Sequence, residues 1–479
     1  MAVALAMNYR CCVRELMRLP GRWSSLPELC ALPARALTDM RTSALYIRGK
    51  EARNRRALLL PYIEIDKIVN DLPALQKTLQ LRDIGLDISP LSTKLPSLRI
   101  VKNELKRVQV EIVQLTRALA DYWKASTEDQ EHNSESELKA RLQAHYMTER
   151  EVKQSLYAKE EEVIPLILRL PNFVQPPSEV IKLECSEYGI RSTFPFHPAS
   201  HVDIGSTDII LRHEPRLCYL KGAPALLHLQ LCRFFSERLM SLDSTLISGP
   251  DWVVDTVLEG CGTDPNNLDH TMAIENKEHS GGHHMHLVGS SALESFAAYL
   301  TRRQPKDVPV SFHTVGRRYI AKCDARLPGL FSLTQSTKVA AFVACRHEEL
   351  MPAFEKLLAA VKRWYQELEL PFRLVLAEPP ELGFIESLRV SIEVWSPAQN
   401  RYIPSGFLSL HDDFVSRRLI MVSGTKASDA EFLHTTYACI ANVHVLVACI
   451  MENTQTKEKA FTFPATLKHT YGSPFTSCG

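Results

Sequence analysis

From Tyr62 to Leu81, apolar Ile65, Ile68, Val69 and Leu72 recur at helical spacing, which predicts one helix, interrupted or restarted at Pro73. A loop over 85–96 follows. The pattern then becomes long and regular: Ile100 or Val101, Leu105, Val108, Ile112, Leu115 and Leu119 predict a helix from Leu98 to Lys124 with no internal Pro or Gly. Ser126 to Ser136 is polar and acidic and reads as a turn. Leu138, Leu142, Tyr146, Val152, Leu156 and Val163 predict a second long helix from Glu137 to about Ile164. Two such helices joined by a short polar link form an antiparallel hairpin.

Pro165, Pro171, Pro176 and Pro177 end the hairpin, and beyond Glu179 the period changes. Short β-rich runs (Thr207 to Leu211, Leu246 to Ser248, Val308 to His313, Arg373 to Leu376, Arg389 to Trp395, Leu419 to Val422) interleave with helical ones (Pro224 to Leu242, Ser290 to Arg302, Met351 to Leu368, Asp429 to Glu452). Without βαβ regularity this predicts an α+β body with a largely antiparallel sheet and flanking helices. Within it, Gly329 to Phe342 places apolar Leu330, Leu333, Val339 and Phe342 around a polar centre, as two strands meeting in mid-sheet would. The expected organisation is a leader over 1–45, a helical arm domain over 46–175 with its hairpin at about 98–164, and a body over 176–479.

Composition adds little to this frame. The 479 residues are 45% apolar and 23% charged, which is ordinary for a soluble globular chain. A formal charge of +1 means that any nucleic-acid site must be a local patch. No apolar run reaches the length of a membrane span, so membrane insertion is not expected. The twelve cysteines lack a paired spacing and read as reduced thiols. The first 60 residues carry eleven Arg or Lys and four acids, with Arg10, Arg14, Arg18 and Arg22 every fourth residue. That is either a mitochondrial presequence, cleaved between about Arg22 and Thr42, or a basic disordered tail. The composition favours the presequence and hence the mitochondrial matrix.

The hairpin carries Lys102, Lys106, Arg107 and Arg117 on its first helix and Lys139, Arg141, Arg150 and Lys153 on its second, among many glutamates. Charge patterning alone favours a solvated face or a scaffold coiled coil over an RNA site. His279, His283, His284 and His286 cluster around Gly281-Gly282, but no cysteine or carboxylate keeps step with them, so they read as a polar loop and no metal site is expected. Cys261 and Cys323 read as core thiols.

Several stretches, in order, resemble the seryl-tRNA synthetases. Leu170-Pro171-Asn172, His201-Val202-Asp203-Ile204-Gly205, Tyr219-Leu220-Lys221-Gly222, Pro250-Asp251, Glu259-Gly260-Cys261-Gly262, Gly329-Leu330-Phe331 with Gln335 and Lys338-Val339, Asp413-Phe414 with Arg417-Arg418, and Glu452-Asn453-x-Gln455 with Pro464, Leu467, Tyr471 and Gly472 match that family's wording over roughly 60–479. The resemblance implies a class II synthetase body. It also implies an N-terminal coiled-coil arm that grips tRNA, with the eight basic residues above as its RNA contacts. Dimerisation is expected around the first class II motif, where Pro250 holds the motif's proline position.

The same comparison implies that the chemistry is gone. Activation of an amino acid needs positive charge and donors at the α-phosphate of ATP. Where the family has its second-motif arginine and glutamate, this chain has Ile320 and Lys322; Ser332 replaces a further arginine, and Val445 stands for the third-motif arginine. Pro404 and Phe407 replace the magnesium-binding glutamate and its neighbouring hydroxyl, and Ala292 and Ala340 replace two serine-binding glutamates. A magnesium ion would find no oxygen ligands there. The expectation is a non-catalytic mitochondrial relative without a cofactor. It would act through RNA or by pairing, with itself or with an active mitochondrial seryl-tRNA synthetase; an active serine–tRNA ligase with an unusual site is the alternative ranked last.

Overall fold

The computed structural model describes residues 43–46, 59–125, 132–213, 216–267, 271–274, 284–424 and 430–468. The arm consists of α1 (Ile65–Leu81) and two helices of 37 residues each, α2 (Ser89–Ala125) and α3 (His132–Leu168). Each long helix spans about 55 Å. Leu91, Leu95 and Leu98 of α2 are almost fully buried in a seam that also includes Val152, Leu156, Val163 and Ile167 of α3. Residues 126–131 of the polar link lie outside the described residues.

Pro73, Pro96 and Pro165, read as breaks, all lie inside helices. A proline in a helix interior costs about 3 kcal/mol. Burial on both sides offsets that cost: Leu95 and Leu98 flank Pro96, Val163 and Ile167 flank Pro165, and Leu75 and Leu79 follow Pro73. Each buried leucine or isoleucine contributes about 1.5–3 kcal/mol.

The body is built on an eight-stranded sheet: β1 (Glu187–Tyr188), β2 (Thr245–Leu246), β3 (Val310–Tyr319), β4 (Gln335–Cys345), β5 (Phe372–Leu376), β6 (Leu388–Ser396), β7 (Arg401–Asp412) and β8 (His434–Asn442), in the order β1-β5-β6-β7-β8-β4-β3-β2. All pairs are antiparallel except β2 with β3. The helices are α4 (Gly222–Met240), α5 (Asp255–Gly260), α6 (Leu293–Leu300), α7 (His347–Glu367), α8 (Phe414–Leu419) and α9 (Val443–Asn453). Alternation along β4 feeds two cores. Val339, Ala341 and Cys345 join the one that includes α4, α7 and α9, and Ala340, Phe342 and Ala344 join the one that includes α5 and α6.

Three readings change here. Gly329–Phe331 is a 3-10 turn, and the strand proper starts at Gln335. The run read as a helix from Asp429 contains β8 followed by α9, and Asp429 itself lies outside the described residues. Leu419 ends α8, and of the run read there only Val422 is in a strand, the two-residue Val422–Ser423.

Much of the family wording lies in one buried knot. His201, fully buried, places Nδ1 2.7 Å from Glu452 Oε1, and its Nε2 accepts from Leu330 N at 3.0 Å. Ser396 Oγ donates to the other oxygen of Glu452. Gly329 has φ +59, and a Cβ there would strike His201 Nε2, so glycine fits this turn for two reasons. Asn172 likewise fastens the arm's end to the body, donating from Nδ2 to Ile385 O and His411 O, both at 2.9 Å.

Residues 1–42, where the presequence was read, lie outside the described residues. Ser43–Tyr46, at the end of that stretch, belong to the body. Ser43 Oγ donates to Glu259 Oε1 at 2.6 Å, Leu45 N donates to Oε2 at 3.2 Å, and Leu45 is 1% exposed. Among the described residues, no helix is long and apolar enough to cross a membrane.

Candidate functional site: a cavity on the sheet and a basic arm

The face of the sheet that carries Ala340 opens into a cavity of about 1080 Å³. Strand pairing decides which residues form its floor, because cross-strand partners share a face. Arg318 of β3 lies opposite Ser336, Lys338 opposite Gly316, and Ser409 of β7 opposite Tyr437 of β8. Arg318, Lys338, Phe407, Ser409, His411 and Tyr437 line the floor, and Leu258, Cys261, Glu294, His286, Ile320 and Phe384 are among the walls.

Of the eight positions where catalytic groups were expected to be replaced, the structure brings three to this cavity: Ile320, Lys322 and Phe407. Ser332 holds the adjoining loop, its Oγ accepting from Asp324 N at 2.9 Å. Ala292 and Ala340 are fully buried behind the lining. Val445 is fully buried in the core of α4, α7 and α9. Pro404 is exposed on β7, paired with Glu393 beside a register shift.

Sequence reasoning missed Arg318 and Glu294. Their side chains meet in the cavity, Arg318 Nη1 donating to Glu294 Oε2 at 3.0 Å. Burial works against the charge on Arg318, yet Glu294 and Tyr437 more than offset it, and its pKa is raised. Lys338 has its pKa lowered, chiefly by burial. Burial also pulls His411 down to about 3, so it is a neutral acceptor or donor at physiological pH. His286, 2% exposed, has both ring nitrogens without a hydrogen-bond partner among the described residues. The signal for Arg318 was the length of β3: the predicted strand stops at His313, and the real one runs to Tyr319.

Besides Lys322, and Arg326 paired with Asp324 at 2.9 Å, the cavity thus offers an arginine held by a carboxylate, a half-buried lysine and neutral imidazoles. No group of three or more His, Cys, Asp or Glu among the described residues is placed to hold a metal ion. Of the histidine loop, His279 and His283 lie outside the described residues, while His284 is exposed and His286 buried. Burial pushes the Cys261 thiol well up, and the Cys323 sulfur sits 3.4 Å from Thr334 Oγ1.

The arm places its cations differently. Lys106, Arg107, Arg117, Arg141 and Arg150 are exposed, Lys102 is partly so, and none of the six has a carboxylate partner among the described residues. Lys139 and Lys153 are paired, with Glu135 and Glu149, both at 2.7 Å. Pro250, read as a dimer position, is exposed on the body beyond α4.

Residues 283–454 match the tRNA synthetase class II core domain (G, H, P, S and T). The chain is 26% identical over 448 residues to the serine–tRNA synthetase-like protein Slimp of Drosophila melanogaster, covering 88% of this chain and 91% of that one. It is 26% identical over 443 residues to the mitochondrial serine–tRNA ligase of Mus musculus, covering 86% and 84%. In fold it is similar to the seryl-tRNA synthetase of Pyrococcus horikoshii, solved with ATP. That match has a TM-score of 0.70 and 20% identity, and covers 85% of this chain and 97% of that one. The cytoplasmic serine–tRNA ligase of Naegleria fowleri, solved with AMP, gives a TM-score of 0.68 at 15% identity, covering 85% and 96%. Residues 283–454 thus match a class II tRNA synthetase core domain, and over most of its length the chain is similar to a seryl-tRNA synthetase-like protein and to a mitochondrial serine–tRNA ligase.

Proposed function

We propose that this protein is a mitochondrial seryl-tRNA synthetase homologue that does not activate serine and instead binds RNA, mitochondrial tRNA first of all, through its helical arm. The observation that carries this reading is the disposition of charge. The cavity's Arg318 is held by Glu294 at 3.0 Å, whereas six arm cations have no carboxylate partner among the described residues. A guanidinium that gives one N–H to a carboxylate has part of its charge offset before a triphosphate arrives, and charge-assisted bonds of this kind contribute about 1.5–3 kcal/mol. Ile320 and Phe407 add apolar surface to the same lining. Mitochondrial residence is supported by the arginine-rich start and by mitochondrial ligases among the relatives.

The test is serine-dependent ATP–pyrophosphate exchange, run beside equilibrium binding of a mitochondrial tRNA. The reading expects exchange no faster than the protein-free control, and tRNA affinity that falls steeply as salt rises. Serine-dependent exchange above the control would overturn the non-catalytic part.

One observation favours a second role as a pairing subunit. Leu229 and Met240 of α4 are 57% and 48% exposed, and Ile210 and Tyr219, directly paired across the hairpin before α4, are 49% and 60% exposed. Leu246, on the edge strand β2, is 53% exposed. Apolar surface on that scale suits a protein interface. Its occupant is a second copy of the chain or an active mitochondrial seryl-tRNA synthetase. Light scattering of the protein alone and after co-expression with that enzyme separates the two, and a stable monomer in both samples would remove the role.

A further inference from the structure

The arm's cations are not spread evenly around it. An α-helix turns about 100° per residue, so positions 4, 7 and 11 apart share a face. On α3, Lys139, Tyr146, Arg150 and Tyr157 follow at intervals of 7, 4 and 7. On α2, Lys102, Lys106, Val113 and Arg117 follow at intervals of 4, 7 and 4.

The two stripes lie on the same side of the hairpin. Gln109, on the flank of α2 that carries Lys106, donates to Glu149 Oε1 at 3.1 Å. Glu149 in turn holds Lys153, on the flank of α3 that carries Tyr146 and Arg150. The other side is joined by His145 and Glu111 at 3.3 Å, and there Arg107 and Arg141 stand near Glu104 and Glu111. The first side therefore combines four cations without a carboxylate partner among the described residues with Glu149, which Lys153 and Gln109 occupy, Glu135, which Lys139 and Trp123 occupy, and the exposed Glu161.

That side is also aromatic. Tyr146 and Tyr157 are 49% and 47% exposed, and Trp123, near the tip, is 56% exposed with Lys139 Nζ 5.9 Å from its ring. Half-exposed rings interleaved with cations at regular helical spacing are not what a solvated face needs. They match a surface on which bases stack while lysines and arginines take the phosphates. The two tyrosines are roughly 16 Å apart along the helix, enough for several nucleotides between them. A base within a duplex presents only its edges in the grooves, so stacking selects RNA whose bases are unpaired.

We infer that the Tyr146–Tyr157 side of the arm recognises RNA segments with unpaired bases, such as loops and single strands, through stacking on these rings, with Lys102, Lys106, Arg117 and Arg150 holding the backbone. The inference rests on the reading that the arm binds RNA and adds the class of RNA and the side that reads it.

Fluorescence anisotropy on the whole protein tests it with two labelled probes, an RNA stem-loop and a blunt RNA duplex with the same stem. Two paired variants are compared: Tyr146→Ala with Tyr157→Ala, and Lys106→Glu with Arg150→Glu. The tyrosine pair is expected to weaken the stem-loop about tenfold or more and leave the duplex unchanged. Tyr146→Phe with Tyr157→Phe should restore stem-loop binding, because phenylalanine keeps the ring. The charge reversals should weaken both probes. If the tyrosine pair changes neither probe, or both equally, while charge reversal still weakens both, the stacking inference fails and RNA binding by the arm stands. If charge reversal changes neither probe, the arm reading itself fails. Loss of dimer mass in light scattering with RNA binding intact would assign this side to a protein contact and overturn the inference.

Discussion

The arm and the body handle charge in opposite ways. In the body, Arg318 meets Glu294 and His201 meets Glu452, so these two buried or half-buried basic side chains are held by carboxylates. On the arm, Lys106, Arg117 and Arg150 extend into solvent from a hairpin whose stability comes from an apolar seam, and they leave Glu149 to Lys153. The difference teaches where each region's sequence is constrained. The body's charges maintain a shape, and the arm's charges are available to a polyanion. A class II architecture can thus persist while its cavity changes, because the knot around Glu452 does not include the groups that would perform the chemistry.

The strongest way to break this comparison is at Glu452. Glu452→Ala strands His201 and Ser396 in the core, and losing one partner of a buried pair costs about 3–5 kcal/mol. Chemical denaturation should show that loss in the midpoint, while charge reversals at Lys106 and Arg150 should shift it by less than about 0.5 kcal/mol. Equal effects would mean that the arm's charges are structural too.

Next in size is acid sensitivity. Burial holds His411 and His444 down to about 3 in the folded chain, against about 6.5 when unfolded. Between those values the unfolded chain binds more protons than the folded one, so stability is full above about pH 6.5 and falls as pH falls towards 3. At pH 5.5 each histidine should cost on the order of 1 kcal/mol relative to pH 7.5, read as a lower denaturation midpoint. A midpoint unchanged over that range would contradict the buried, neutral placement of both.

Glu294→Gln sharpens the comparison inside the cavity. It removes the charge that holds Arg318 and should cost about 1–2 kcal/mol, since Arg318 is partly open to the cavity. RNA affinity should not change. The smallest effect is expected for Lys153→Ala, because solvent screens a surface pair such as Lys153 with Glu149. Its effect on RNA binding should fall well below that of Arg150→Ala.

The hairpin was legible because its period is long and its seam leucines recur, and the α+β body because strands and helices interleave. Pro73, Pro96 and Pro165 misled because local propensity says nothing of the buried aliphatic residues that flank Pro96 and Pro165 and follow Pro73. The stretch of β8 and α9 misled for another reason. His434 to Met451 is buried almost throughout, and a run with no polar face has no period to read. β7 went unread because Pro404 and Gly406 lie within it, at the register shift where a strand tolerates them. Ile320, Lys322 and Phe407, singled out by wording, line the cavity, whereas Val445 and Pro404 lie away from it. Arg318 and Glu294 needed the register of β3 against β4 and the start of α6, which no local pattern supplies.

The central claim is that the arm, through cations the body does not share, is the working surface. It is tested most directly by the salt dependence of mitochondrial tRNA binding for the wild type and for a Lys102→Glu, Lys106→Glu, Arg150→Glu variant. The account predicts weaker binding by the variant at low salt and a log–log salt slope shallower by about 2 to 3, as three phosphate contacts are lost. The same affinity and the same slope in both proteins would contradict it.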